Sequence, residues 1–439
     1  MMASDRRLNV LVVGGGGREH ALVRGLLRSP RIGRLVCAPG NAGIDADAET
    51  VAVRAEDVPS LIALVERERF DLTVVGPEAP LVAGLADQLR GRGFAVFGPG
   101  ADGARLEGSK AFAKEVMRAA GVPTGRAAAF TTHEEALAYL REHGAPVVVK
   151  ADGLAAGKGV IVAKTREDAE AALAECFVER RFGAAANLVL LEEFLEGEEV
   201  SLLSLVSGGR VLPLAPAQDY KRALDGDRGP NTGGMGSYSP VPVVDDELYE
   251  RLVDTVVRPT VAELVQRGID FRGVLYAGLM LTPAGPRVLE FNCRFGDPET
   301  QALLPRLESD LLELLWAAAN DGPLPAAAEW KKGAAVGVVM ASRGYPASSS
   351  KGDVIRGLDE VRRVPGVQVF HAATRETGGD VVTDGGRVLT VTAVGDGFAE
   401  ARARAYAGVA AISFEGAHYR TDIGLRAEQW EASTEGGSR

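Results

Sequence analysis

The sequence predicts a multidomain chain that opens on a parallel α/β sheet, continues as α+β and closes on a small α+β domain. Three observations carry that prediction. Short apolar runs alternate with helical stretches across residues 9–97, the order that gives parallel strands joined by crossover helices. Two hairpin patterns then frame the middle of the chain, at residues 147–163 and 273–292. Short strand patterns and one helix crowd into the chain after residue 334. At 439 residues the chain fits about three domains. We divide it into 1–104, 105–328 with a subdomain at about 124–195, 329–432, and a polar tail 433–439 that is expected to fray.

Asn9 to Val13 reads as the first strand, Gly14-Gly15-Gly16-Gly17 as a tight loop, and Arg18-Glu19-His20 as the opening of a helix reaching about Arg28. Strand, glycine loop and helix N-terminus form an anion site. The loop fails as a dinucleotide fingerprint. G-x-G-x-x-G begun at Gly14 puts Glu19 in the last glycine's place, and begun at Gly15 it puts His20 there. The next strand, Arg34 to Ala38, ends without an acid for a ribose diol. The first domain is therefore Rossmann-like, with a loop that holds something other than NAD. A sugar phosphate fits, with Arg18 as counter-charge; the alternative is a solvated first-turn arginine. Strands at 70–75 and 95–97 follow, with helices near 59–69 and 81–92. The turns Pro39-Gly40-Asn41-Ala42-Gly43, Gly76-Pro77-Glu78-Ala79-Pro80 and Gly98-Pro99 gather at the carboxyl edge, where such sheets bind ligands.

Leu106 to Ala120 reads as one helix stopped by Gly121-Val122-Pro123, and Thr131-Thr132 caps a helix over 134–143. Val147-Val148-Val149 then ends on Lys150, Gly153, Gly157, Lys158 and Gly159 follow, and an apolar run resumes at Val160. Strand, glycine loop, strand, with a lysine at each end, suits a flap over nucleotide phosphates. An ordinary long hairpin with surface lysines is the alternative. It is not a Walker A loop: Gly153 and Gly157 enclose three residues, and no hydroxyl follows Lys158. A helix at 167–177, a strand at 188–194 and a strand from Glu198 come next. Gly229 to Tyr238 is either disordered or an active-site cover. Asp245 to Gly268 is largely helical.

In the strand 287–292, Glu290 and Asn292 share a face. Two oxygens with most positions left open suit Mg²⁺ shared with phosphates; the alternative is a polar strand end beside a turn. Phe291 points to the other face, into the core. A buried helix over 307–319 and a linker over 321–329 follow. Strands at 334–340, 353–355, 367–371 and 388–393 and a helix at 398–411 complete the chain. This last part shows no chemical constellation, and His371 reads as structural.

A hydrophobic content of 46% and a charged content of 25% place the chain among soluble globular proteins. The formal charge of −11 argues against a nucleic-acid or membrane surface, yet allows an anionic small ligand at a local positive site. Cys37, Cys176 and Cys293 lack metal-ligand spacing, and so sparse a set suggests a reducing compartment. No apolar segment is long enough for a signal peptide or a membrane span. The reading is a cytoplasmic enzyme, a monomer or weak oligomer whose state the sequence does not decide.

The flap, the Glu192-Glu193-Phe194-Leu195 strand end and the Glu290/Asn292 pair, in this order, resemble the ATP-grasp superfamily, in which ATP lies between two α+β lobes. Longer stretches narrow this: Gly16 to Ala21, Ala38 to Gly43, Val75 to Leu81, Lys150 to Val160, Gly229 to Gly236 and Glu290 to Thr300. Across residues 9–423 the chain resembles the phosphoribosylamine–glycine ligase family of purine biosynthesis. The resemblance implies ligation of glycine to 5-phosphoribosylamine with ATP, through an enzyme-bound glycyl phosphate. Alignment and charge neutralisation would then suffice, which accounts for the lack of a Ser/His/Asp or Cys/His arrangement.

It also implies roles. Lys110 and Lys150 contact ATP, and Gly153, Gly157, Lys158 and Gly159 close over its phosphates. Glu192, Glu193, Phe194 and Leu195 line the adenine, and Glu199 takes the ribose hydroxyls. Lys221 and Asn231 approach the γ-phosphate. Glu290 and Asn292 ligate Mg²⁺ or Mn²⁺. Arg294, Gly296 and Asp297 are candidates for glycine and the acyl phosphate, Asp219 for substrate. Gly16, Gly17, Arg18, Asn41 and Glu78 would hold phosphoribosylamine. One departure from the superfamily concerns the strand 274–280, which lacks the second metal-binding acid that many members carry. Competing readings are a biotin carboxylase-like enzyme, an NAD(P)-dependent oxidoreductase and a non-catalytic nucleotide sensor.

Overall fold

The computed structural model describes residues 6–154 and 159–436. Five parallel strands open the chain, in the order Glu49–Thr50, Ile32–Pro39, Leu8–Gly14, Leu72–Val75 and Ala95–Phe97. Val10 to Val13 are completely buried, because helices cover both faces of this sheet. Asp57 caps the helix Val58–Glu68 by accepting from the Ser60 N–H at 3.2 Å, with Pro59 in its first turn. The carboxyl ends of the strands leave Gly14, Gly40 and Gly76 side by side: Gly40 N–H donates to the Gly14 carbonyl at 3.1 Å.

The single helix expected over 106–120 is two, Ala101–Gly108 and Lys110–Ala119. Ser109 breaks it. Its backbone is extended, and its hydroxyl accepts from the Phe112 N–H at 3.1 Å and donates to Asp152 at 3.0 Å. That serine turns the second helix so that Lys110 and Lys114 face the flap.

The flap subdomain is a four-stranded antiparallel sheet in the order Ala127–Phe130, Val189–Glu193, Val147–Ala151, Val160–Ala163. Lys150 pairs with Val160, as the hairpin reading required. A second antiparallel sheet runs Arg210–Pro213, Glu198–Ser207, Arg272–Thr282, Gly285–Asn292. There Phe291 is 2% exposed and packs in the core, while Glu290 and Asn292 face outward into a cavity.

The stretch 229–238 is ordered, and its Thr232 and Gly233 line the cavity that Glu290 and Asn292 face. Arg228–Asn231 pairs with Arg222–Leu224 in a two-stranded ribbon, and Gly236–Ser239 joins a distant sheet. That five-stranded sheet runs Gln218–Asp219, Gly236–Ser239, Ala334–Ala341, Arg387–Gly395, Val367–His371, so two of its strands precede the expected boundary at 328/329. A Cβ on Gly236 would stand 2.6 Å from the Gly337 carbonyl oxygen, so the pairing needs glycine. The helix Phe398–Ala411 covers this sheet. Residues 353–355 form no strand; Val354 and Arg356 make isolated bridges to Val382 and Ser413, two different partners. The expected helix 307–319 begins only at Leu311, where the Asp310 side chain accepts from the Glu313 N–H. The helix Leu425–Gly436 runs past Ser433, whose hydroxyl donates to the Trp430 carbonyl; residues 437–439 of the expected tail lie outside the described residues. Among the described residues no helix is long and apolar enough to cross a membrane, and the three cysteines are free and buried.

Candidate active site

The carboxyl edge of the parallel sheet, the flap sheet, the second antiparallel sheet and the C-terminal sheet converge on one cavity of about 430 Å³. Cations dominate one wall. Glu192, 2% exposed, lies between Lys114 and Lys150, with Lys150 Nζ 2.5 Å from its Oε2. Lys150 also donates to the Leu289 carbonyl at 3.1 Å, and Lys114 to Thr124 Oγ1 at 2.7 Å. Lys110 Nζ reaches the Gly153 carbonyl at 3.4 Å, at the base of the flap. Burial lowers the Lys110 and Lys114 ammonium pKa values against the pull of nearby carboxylates. An incoming anion would restore them.

Opposite stands Glu290. Burial pushes its carboxyl up, but Lys221, Lys150, Lys110 and Arg294 outweigh burial and hold it below the ordinary range. It is therefore ionised and ready for a cation. Lys221 Nζ lies 2.8 Å from Glu199 and 3.8 Å from Glu290. Burial disfavours its charge, but Glu199, Asp219 and Glu290 raise its pKa well above the ordinary value. Asp219 beside it is pushed up to about 8 by burial, with Lys221 pulling down and Glu299, Glu199 and Glu290 pushing further up. The sheet register sets Gly278 opposite Glu290 and Tyr276 opposite Asn292, so that strand offers no further acid to a metal. Tyr276 instead donates to Glu299 at 2.8 Å. Among the described residues no group of three or more His, Cys, Asp or Glu could hold a metal ion. The residues fit a cation shared with a ligand's phosphates, held by Glu290 and Asn292, better than a resident ion.

The third wall is an arginine cluster. Arg294 donates to Glu107 at 2.8 Å and to Glu78 at 3.3 Å, which ties the second sheet to the N-terminal domain. Asp297 accepts from Gln301 at 2.8 Å and faces Arg387 at 3.3 Å. Burial pushes the Asp297 carboxyl up, and Arg387 and Arg18 bring it below the usual range. Arg387 comes from the C-terminal sheet and donates to the carbonyls of Gly233 at 2.5 Å and Asp297 at 2.8 Å. Arg18 pairs with Glu19 at 2.6 Å and donates to the Phe295 carbonyl at 3.1 Å. Glu19 also accepts from the Gly16 N–H at 2.6 Å. Its side chain fills the glycine loop: a Cβ on Gly14 or Gly76 would stand 2.6 or 2.0 Å from it. Glu19 is the residue that stands where the dinucleotide fingerprint begun at Gly14 calls for its last glycine.

Models of the three phosphoribosylglycinamide synthetase domains match in order: the N domain over residues 8–107, the ATP-grasp (A) domain over 108–300 and the C domain over 335–426. The chain belongs to the phosphoribosylglycinamide synthetase family. It is 50% identical over 428 residues to the phosphoribosylamine–glycine ligase of Escherichia coli, covering 97% of this chain and all of that one. It is 49% identical over 423 residues to that of Vibrio parahaemolyticus, covering 96% and 98%. The crystal structure of the Thermotoga maritima ligase superposes with a TM-score of 0.82 at 34% identity, covering 94% of this chain and 100% of that chain. The biotin carboxylase domain of a Hydrogenobacter thermophilus carboxylase, crystallised with MgADP and bicarbonate, superposes with a TM-score of 0.72 at 18% identity, covering 94% and 92%; that likeness is one of fold. Family membership favours the ligase reading over a biotin carboxylase-like one, and an ATP-grasp domain implies use of ATP with a divalent cation.

Within this synthetase fold, Arg18, Glu78, Lys110, Lys150, Gly153, Gly159, Glu192, Asp219, Lys221, Glu290, Asn292, Arg294 and Asp297 all line the cavity. Gly16, Gly17, Asn41, Glu193, Phe194, Leu195, Glu199, Asn231 and Gly296 do not. Asn41 is fully engaged elsewhere: it caps a helix through Gly43 and Ile44, and its amide donates to the carbonyls of Gly15 and His371. Glu199 pairs with Lys221, which does line the cavity. Gly157 and Lys158 lie outside the described residues. Sequence reasoning missed Glu107, Lys114, Glu299 and Arg387. Lys114 could have been found, since it follows Lys110 by one helical turn. Arg387 gave no local signal.

Proposed function

We propose that this chain joins glycine to 5-phosphoribosylamine, with cleavage of ATP to ADP and phosphate, in cytoplasmic purine biosynthesis. One observation supports it above the others. A single cavity places the Lys110, Lys114 and Lys150 cations and the Glu290/Asn292 pair opposite loops of a Rossmann-like domain. A carboxylate oxygen of glycine attacks the γ-phosphorus, and the bond from phosphorus to the ADP oxygen breaks. The sugar amine then attacks the carbonyl carbon of the glycyl phosphate, phosphate leaves with the C–O oxygen, and the amine loses a proton. Lys110 and Lys150 hold the phosphates, the flap base positions them, and Lys221 faces the transferring group. Arg294 and Asp297 orient glycine, while Arg18 and Glu78 face the phosphosugar. Mg²⁺, or Mn²⁺ in its place, would be held by Glu290 and Asn292 and would neutralise charge on the transferred phosphoryl group.

The test is phosphate release from ATP with freshly made phosphoribosylamine across a panel of amino acids. Release that depends on glycine and on Mg²⁺ is expected. Equal release with bicarbonate, or none with glycine, would overturn the proposal.

A further inference from the structure

The ribbon formed by Arg222–Leu224 and Arg228–Asn231 has only two strands, and its second strand is exposed throughout. Such a ribbon is marginal by itself. Yet its inner end delivers Lys221, Thr232 and Gly233 to the cavity wall. The Thr232 N–H donates to the Lys221 carbonyl at 2.7 Å and closes that end. Something must fix the outer end, or the inner one would drift.

The segment 418–426 does so. The Thr421 N–H donates to Asp225 at 2.8 Å, and the Gly226 N–H donates to Asp422 at 2.9 Å. His418 Nε2 stands 2.8 Å from the Ala223 carbonyl, and Arg426 donates to Asp227 at 2.8 Å. At the centre is Arg420, whose side chain is completely buried. Its guanidinium donates to the Arg222 carbonyl at 3.0 Å, to Asp227 at 2.9 Å, and to both oxygens of Asp422 at 2.7 and 2.6 Å. It also lies 4.7 Å over the Tyr220 ring, next in sequence to Lys221. A planar fork that grips a carboxylate with two bonds fixes an angle as well as a distance, which a lysine cannot do. None of these residues lines the cavity.

We propose that Arg420 is a positioning residue: through Asp227 and the Arg222 carbonyl it sets where the ribbon holds Lys221 and the Thr232–Gly233 turn against the phosphoryl-transfer end of the cavity. The inference rests on the ligase reading of that cavity. A small displacement there costs turnover more than affinity, because alignment is most exacting at the reacting atoms.

The test uses the full-length chain with Arg420→Lys and Asp227→Asn, assayed where each is fully folded by circular dichroism. Arg420→Lys should lower kcat by about tenfold or more, and Asp227→Asn by about threefold, with KM for glycine and phosphoribosylamine within about twofold of wild type. Amide exchange at residues 222–233 should quicken in both while the parallel sheet is unchanged. A folded variant with wild-type kcat and unchanged exchange overturns the inference. Should Arg420→Lys fail to fold, Asp227→Asn, at a side chain that is itself half-exposed, decides alone. Absence of turnover in the wild-type chain would instead overturn the ligase reading, before any variant is compared.

Discussion

Two hairpins face the same cavity, and their described residues are held in different ways. The flap hairpin, Val147–Ala163, is anchored at its base: Lys150 pairs along a four-stranded sheet and is locked to buried Glu192. The ribbon at 222–231 belongs to no larger sheet and is held at its tip, by charges from the last part of the chain. Both are glycine-rich and both bring a lysine to the site. The comparison teaches that a loop's composition says little about its role; where its anchors lie says more. An anchor at the base fixes where the strands of a hairpin stand, whereas an anchor at the tip turns the hairpin into a strut.

Glu290 stands where the two hairpins meet, so its loss should have the largest effect. Glu290→Ala should lower turnover by about a thousandfold, as expected for removing a charge-neutralising group at the reacting centre, with the far-ultraviolet spectrum unchanged. Wild-type phosphate release in that variant would break the metal assignment. Next is the flap's anchor. Glu192→Leu leaves two buried ammonium groups facing one another and should cost about 3 kcal/mol in a urea unfolding series. A loss below about 1 kcal/mol, the scale of a surface pair, would mean the flap base is held by apolar packing alone.

The two lysines separate the roles. Lys221→Met should lower kcat by about a hundredfold, and Lys150→Met should raise the KM for ATP by about tenfold with a smaller effect on kcat. Steady-state kinetics check both; exchanged effects would invert the comparison. A pH effect concerns the domain that carries the ribbon's anchor. It docks on the N-terminal domain where the His371 N–H donates to His20 Nδ1 at 2.8 Å. Burial lowers both imidazoles, His371 to about 3. Their neutral forms are favoured in the folded protein, so the stability they contribute is full above about pH 6.5 and is lost as pH falls below it, by about 1.4 kcal/mol per pH unit for His371. Urea midpoints at pH 7 and pH 5 should show the fall, and it should be smaller in His371→Asn. A flat profile would mean that neither histidine holds that contact.

Much of this was legible locally. The period of two that buries Phe291 and exposes Glu290 and Asn292 is a property of the strand itself. The helix Phe398–Ala411 and the pairing of Lys150 with Val160 likewise follow from nearby sequence. What escaped depends on distant partners. Ser109 reads as mid-helix until Asp152 arrives to hold its hydroxyl. Gly229 to Tyr238 gives no sign of its order in the sequence, because that order comes from Val338 and from Arg387, far along the chain. Arg387 reaches the site only because the C-terminal sheet takes in Gly236–Ser239. Asn41 was legible as important but not as a cap, since a cap and a ligand contact use the same amide.

The central claim is that glycine is activated at its own carboxylate in this cavity before any amine attacks. Glycine labelled with ¹⁸O in both carboxylate oxygens, turned over once with ATP and phosphoribosylamine, tests it most directly by mass spectrometry of the released phosphate. The account predicts one ¹⁸O atom in each phosphate formed. Unlabelled phosphate would contradict it.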